Sequence, residues 1–156
     1  MIPSIVVIDN FYKNVDEIRS LALSQDFNVK GNYPGLRSKN HAHEDVMKSF
    51  EEALHVKIDA GKWGSTSYNG AFQWVPKNTP TWIHPDIYNQ YAAVIFLTPN
   101  PHSNSGTVFF KHKETGCDRY NNEYGPLLHT KGHAWKEWEL TDKVENKYNR
   151  CVLYDS

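Results

Sequence analysis

A histidine and an aspartate stand two positions apart in the segment Trp82-Ile83-His84-Pro85-Asp86. We predict a strand over Thr81–His84, and residues i and i+2 of an extended chain point to the same side. The His84 imidazole and the Asp86 carboxylate can therefore converge on one ion. Such a pair supplies two thirds of a facial triad of two histidines and one carboxylate, which leaves three open positions on iron(II). The spacing predicts two of the three protein ligands of a metal site.

The same spacing has a plainer interpretation. A bare His-x-Asp arises often by chance, and a histidine and an aspartate in a surface turn are common. The context favours a metal, because the predicted strand ends at His84, Pro85 stiffens the turn and the apolar strand Tyr91–Thr98 follows. Five of the other seven histidines are candidates for a third ligand, although each one alone is more typical of a structural or solvated residue, and His55 in particular ends a predicted helix: His55, His102, His112, His129 and His133.

Two predicted helices precede most of the predicted strands. The β-branched run Ile5–Ile8 predicts a short buried strand, and Asn14 caps a helix that extends to Leu23. Helical spacing of apolar residues predicts a second helix over 43–55. From Gly64 onward the predicted strands are short and are separated by Gly, Pro and Asn. They are Ala71–Val75, Thr81–His84, Tyr91–Thr98, Thr107–Lys111 and Arg150–Tyr154.

This pattern predicts an α+β, mainly β, fold. Many short strands with turn signals are typical of a sandwich or jelly roll, and we expect the two helices to pack on one face of it. The segment 117–147 is rich in Tyr, Trp, Asn and Gly without a clear period, so we interpret it as a long insertion or lid.

Composition and charge exclude several classes of protein. The 156 residues suit one domain, and 13% aromatic residues argue against a disordered chain. Seventeen basic against eighteen acidic residues give a net charge of −1, so no basic field favours a nucleic-acid partner. No apolar run approaches the ~18 residues of a membrane span. We expect a cytoplasmic protein whose two cysteines, Cys117 and Cys151, are reduced.

Several motifs follow one another in a characteristic order and cover most of the chain. They are Ile5-Val6-Val7-Ile8-Asp9-Asn10-Phe11-Tyr12, the helix from Asn14 to Leu23, Asn32-Tyr33-Pro34-Gly35, Phe72-Gln73, Trp82-Ile83-His84-Pro85-Asp86, Ala92-Ala93-Val94-Ile95-Phe96-Leu97-Thr98-Pro99, Ser105-Gly106-Thr107 and Asn149-Arg150-Cys151-Val152-Leu153-Tyr154-Asp155-Ser156. This order resembles the iron(II)- and 2-oxoglutarate-dependent oxygenases. The resemblance is closest to their prolyl-hydroxylase-like branch, and within it to a group found in bacteria and marine phages.

The resemblance implies a double-stranded β-helix, or cupin-like jelly roll, and a hydroxylase with a small-molecule or peptide substrate. His84 and Asp86 would bind iron(II), which in turn binds 2-oxoglutarate. Gln73 and Tyr68 come from the segment that donates to the cosubstrate in this family. Gln73 stands between two aromatic residues and must face something polar, which is either such a cavity or solvent.

The resemblance also implies a second metal-binding histidine, and an Arg or Lys for 2-oxoglutarate, after the strand that Asn149–Asp155 resembles. The sequence ends at Ser156. We expect a single, C-terminally truncated domain over 1–156 that lacks its last core strands and is inactive by itself. Its exposed sheet edge would favour a homodimer.

Two alternatives to truncation stay open. Another histidine could have moved into the site, or the protein could have lost catalysis and kept its fold. The alternative function is then a non-catalytic jelly-roll binding or assembly module. A zinc hydrolase that uses His84, Asp86 and another histidine is a third hypothesis for the function, and it lacks an identifiable general base.

Overall fold

The computed structural model describes residues 4–155, and for 127–129 it describes the backbone alone. Within these residues, short strands alternate with short helices. The strands are β1 (Ile5–Ile8), β2 (Leu36–Arg37), β3 (Gln73–Trp74), β4 (Tyr91–Ile95), β5 (Gly106–His112), β6 (Trp138–Glu145) and β7 (Cys151–Asp155). The helices are α1 (Val15–Leu23), α2 (Glu44–Leu54), α3 (Ala60–Ser65), α4 (Gly125–Lys131) and a 3₁₀ turn at Trp135–Glu137.

The fold is α+β with small antiparallel sheets, which confirms the predicted class. The sheets that the structure describes do not close into a barrel, and the jelly-roll topology stays a prediction. Tertiary contacts divide the chain into two compact units. Among the described residues, one unit consists of 16–81, and the other consists of 4–15 together with 82–155. No helix in the described part of the chain is long and apolar enough to cross a membrane.

In the first unit, α2 presents one apolar face. Met47, Phe50 and Leu54 are buried and recur at helical spacing, as the sequence predicts. The Phe50 ring packs edge-on against Trp63 of α3, with 5.9 Å between the ring centroids. α2 ends at His55, whose backbone is left-handed.

The strands β2 and β3 of the same unit form a two-residue ladder in which Leu36 pairs with Trp74. The chain enters β2 through Gly35, which has a φ of +79°, as the predicted turn requires. A side chain at Gly35 would approach the Trp74 carbonyl oxygen to 2.2 Å, so only glycine fits there. Of the predicted strand Ala71–Val75, only β3 (Gln73–Trp74) is a strand in the structure.

The second unit contains a three-stranded sheet in the order β1-β7-β4. β7 is the central strand, and it pairs antiparallel with β1 and with β4. Its residues Cys151, Val152 and Leu153 are almost completely buried. Both predicted flanking strands are confirmed, although β4 ends at Ile95 rather than at Thr98. A homodimer through a sheet edge stays a prediction.

β5 and β6 form the second sheet of this unit, with an irregularity in register at Phe109 and Phe110. The segment 117–147, interpreted as an insertion or lid, contains an eight-residue strand, Trp138–Glu145, that the sequence does not predict. Apolar residues alternate there at Trp138, Leu140 and Val144. Asp142, which takes the place of an apolar residue in this alternation, obscures it.

The predicted strand Thr81–His84 is wrong. This segment has no ladder partner and runs as irregular chain. Prolines at positions 80 and 85 remove backbone donors on both sides of it. The Ile83 N–H donates instead to the Gly132 carbonyl oxygen, at 3.0 Å, at the end of α4.

Candidate functional site

His84 and Asp86 lie close together although their segment is not a strand. The His84 Nε2 atom is 3.7 Å from Asp86 Oδ1. A residue that precedes proline avoids the helical region, so Pro85 keeps His84 extended and brings the two side chains to one side. Their side chains are 42% and 38% exposed, which leaves both groups accessible to a ligand.

The other nitrogen of His84 fixes the tautomer of the ring. His84 Nδ1 is 3.0 Å from the Trp82 carbonyl oxygen, and because a carbonyl only accepts, Nδ1 must carry the proton. Nε2 of the neutral ring then carries the lone pair, and it faces the Asp86 carboxylate. A metal-binding histidine is held in the same way, with one nitrogen donating to a backbone carbonyl and the other free for the ion.

The neighbours of the pair are aromatic. The Trp82 ring lies 5.5 Å from the His84 ring, between centroids, with the planes inclined by 42°. After His84 in the chain, the Asn89 N–H donates to the Asp86 carbonyl oxygen at 3.0 Å, and this bond closes a turn. Tyr88 projects from this turn and is 90% exposed.

Two donors 3.7 Å apart can both reach one ion, because metal–nitrogen and metal–oxygen bonds are each about 2.0–2.2 Å long. The two donor atoms can therefore both bind a single cation. Among the described side chains, no group of three or more His, Cys, Asp or Glu residues could hold a metal ion. A third protein ligand is thus not assigned.

The other candidate histidines have different surroundings. The His133 ring also packs near the Trp82 ring, with 5.9 Å between the two ring centroids. His102 Nδ1 accepts from the Asn104 N–H at 3.1 Å. His112 is buried beside Thr115. The side chain of His129 lies outside the described residues.

Gln73 and Tyr68, the predicted 2-oxoglutarate residues, both belong to the first unit. Gln73 Oε1 accepts from Arg37 Nε, and its Nε2 donates to the Pro34 carbonyl oxygen, each at 2.7 Å. The amide thus supports the β2–β3 pair. Tyr68 is 42% exposed in the loop after α3. Their contact with a cosubstrate stays a prediction.

Sequence reasoning missed the backbone that holds the His84 segment. Gly132 follows α4, and its carbonyl oxygen accepts the Ile83 N–H. No local signal marks this contact, since the two residues are far apart in the chain and a lone glycine is common in loops.

Comparison with curated proteins and with solved structures gives no match to this chain. A family model matches residues 3–131, which include both His84 and Asp86. The matched range covers most of the two units. The chain therefore belongs to DUF6445, a family of unknown function.

Proposed function

We propose that the chain carries two metal ligands of a non-haem iron(II), 2-oxoglutarate-dependent dioxygenase, and that His84 and Asp86 are these ligands. The observation that carries the proposal is the pairing of His84 with Asp86 at 3.7 Å while Nδ1 is held by the Trp82 carbonyl. This combination presents an imidazole lone pair and a carboxylate oxygen at the same point. The motif order that resembles the oxygenases supports the same conclusion.

Each residue has a separate role in this proposal. His84 binds through Nε2, and the bond from Nδ1 to Trp82 keeps the ring in the required tautomer. Asp86 contributes a negative charge that offsets one charge of the cation. When bound, iron(II) with 2-oxoglutarate supplies the oxidising power for hydroxylation. The partial exposure of both side chains leaves them accessible to the cosubstrate and to a small-molecule or peptide substrate.

The proposal is tested by titrating the chain with metal without oxygen. Manganese(II) is the first probe, because it broadens nearby NMR signals even when it binds weakly. We expect broadening centred on residues 82–89 in the unaltered chain, and at least about a tenfold loss of affinity in His84→Ala and in Asp86→Asn. His43→Ala is the matched control, because it removes an exposed histidine that makes no capping hydrogen bond at the start of α2. It should leave the titration unchanged.

The second step adds iron(II) with 2-oxoglutarate. A visible charge-transfer band that His84→Ala abolishes would support cosubstrate chelation at this site. Metal binding without the band would contradict the 2-oxoglutarate part of the proposal for this chain. Absence of any binding near His84 would contradict the metal site, and would favour the non-catalytic jelly-roll binding or assembly module.

A further inference from the structure

The end of α4 approaches the His84 segment through backbone atoms. The Ile83 N–H donates to the Gly132 carbonyl oxygen at 3.0 Å. A Cβ atom at Gly132 would lie 2.2 Å from the Ile83 carbonyl oxygen, which is far closer than van der Waals contact allows. The obstacle is backbone rather than a flexible side chain. Any side chain at position 132 must therefore displace the segment that carries His84.

Trp82 transmits this contact to His84. It precedes Ile83 directly, and its carbonyl oxygen accepts the proton of His84 Nδ1. Its ring also packs near those of His84 and His133, at centroid distances of 5.5 and 5.9 Å. A shift of the backbone at Ile83 thus moves both the carbonyl and the ring that contact His84.

Residues 131–133, which form the corner at the end of α4, are attached to the start of β6 by a hydrogen bond. Trp138 Nε1 donates to the Lys131 carbonyl oxygen at 3.1 Å, and the Trp138 ring is buried. The Lys131 ammonium lies 3.0 Å from Glu137 Oε1. Glu137 Oε2 lies 3.6 Å from Nε2 of the buried His112. The corner therefore has a defined place against the β5–β6 sheet.

From these contacts we infer that Gly132 is a positioning residue for His84. Its carbonyl and its lack of a side chain hold Ile83 and Trp82 where the Trp82 carbonyl selects the Nδ1–H tautomer of His84. The part of this inference that concerns metal affinity rests on the proposed function. The part that concerns the tautomer does not require a metal.

The test compares the unaltered chain with Gly132→Ala by ¹⁵N NMR of the histidine rings, recorded over a pH series. His84→Ala identifies the His84 signals by their loss. We expect the neutral His84 ring to carry its proton on Nδ1 in the unaltered chain. In Gly132→Ala we expect a shift toward the Nε2–H tautomer, together with about a tenfold loss of manganese(II) affinity.

Gly64→Ala is the matched control. A Cβ at Gly64 meets no atom within 4 Å, and the residue lies in α3, where alanine is favourable. It should leave both the tautomer and the metal titration unchanged. If Gly132→Ala does not fold, Trp138→Phe decides, since it removes the donor to Lys131 and keeps an aromatic ring at the buried position. We expect a smaller change in the same direction.

The outcomes separate this inference from the proposed function. An Nε2–H tautomer at His84 in the unaltered chain would overturn the inference, whatever the metal does. So would a folded Gly132→Ala variant with unchanged tautomer and unchanged affinity. A tautomer shift in a chain that binds no manganese(II) would support the positioning role and contradict the metal site.

Discussion

Asp9 and Arg150 form a two-pronged ion pair that joins the end of β1 to the start of β7. Arg150 Nε lies 2.7 Å from Asp9 Oδ1, and Nη2 lies 3.1 Å from Oδ2. The Lys147 ammonium also donates to Oδ2, at 2.8 Å. The hydrogen bonds from Arg150 and then from Lys147 hold the pKa of the Asp9 carboxyl well below its ordinary value of 3.8.

Asp9→Asn should destabilise the chain in a pH-dependent way. A carboxyl whose pKa is lowered by folding contributes stability above its unfolded pKa, near 3.8, and loses that contribution as the pH falls through the folded value. The difference in urea midpoint between the variant and the unaltered chain should therefore be largest at neutral pH and shrink below pH 4. Asp142→Asn, at an exposed position of β6, is the control. A difference that grows on acidification would contradict the assignment.

The thiol of Cys151 should be unreactive in the folded chain. Cys151 has no exposed surface, and burial raises its pKa from 9.0 to about 12. We expect alkylation by iodoacetamide at pH 8.5 to be at least ~100-fold slower than in urea, because the thiolate is the nucleophile. Mass spectrometry of the labelled peptide measures both rates. Equal rates would show that β7 is open to solvent.

The same pKa shift predicts a loss of stability in alkali. A thiol whose folded pKa is raised stays neutral in the fold while it ionises in the unfolded chain, so the free energy of unfolding falls as the pH rises from 9 toward 12. Cys151→Ala should show a flatter decline over this range in urea titrations. An identical decline in the two proteins would assign the alkaline sensitivity to other groups.

Asn149 should be important for stability through its side chain and its backbone. Its amide accepts from the Tyr12 N–H and donates to the Tyr12 carbonyl oxygen, each at 2.8 Å. Its φ is +63°. Asn149→Gly keeps the backbone and removes both bonds, which should cost about 1–3 kcal/mol. Asn149→Ala should cost ~1 kcal/mol more because of the left-handed backbone. Chemical denaturation ranks the two variants, and equal losses would exclude the backbone contribution.

Leu153 should be the most costly of the simple core truncations. It is 2% exposed in the central strand β7, and Leu153→Ala should lose about 2–5 kcal/mol because it leaves a cavity. Leu140 is 54% exposed in β6 and gives a matched leucine control. Leu140→Ala should lose less than ~1 kcal/mol. Similar losses in denaturant titrations would place the core elsewhere.

The sequence predicts the elements whose signal is local and periodic. The run Ile5–Ile8, the helix over 43–55 and the strand at Arg150–Tyr154 match β1, α2 and β7 within one or two residues. The sequence-based prediction fails where the secondary structure of a segment depends on its pairing with distant residues. Thr81–His84 has strand composition, but it contacts a helix end and therefore has no ladder. β6 has a polar residue at Asp142 that weakens its alternation, and its strand state depends on β5.

The candidate site likewise has one part that could be predicted from the sequence and one part that could not. His84 and Asp86 could be paired from sequence because two residues separated by one proline are constrained by local geometry alone. The Trp82 carbonyl that fixes the tautomer is also local. The approach of Gly132 to Ile83 is not, since it depends on how α4 packs beside β6. A glycine that is required for close backbone contact is indistinguishable in sequence from one in an open loop.

The pairing of β1 with β7 has a consequence for synthesis on the ribosome. Ile5 pairs with Tyr154, and Ile8 pairs with Cys151, so the sheet cannot form until the chain has emerged through β7, its last described strand. Contacts of such high sequence separation slow folding and leave strand edges open in the meantime. We expect the nascent β1 segment to depend on chaperones until β7 arrives.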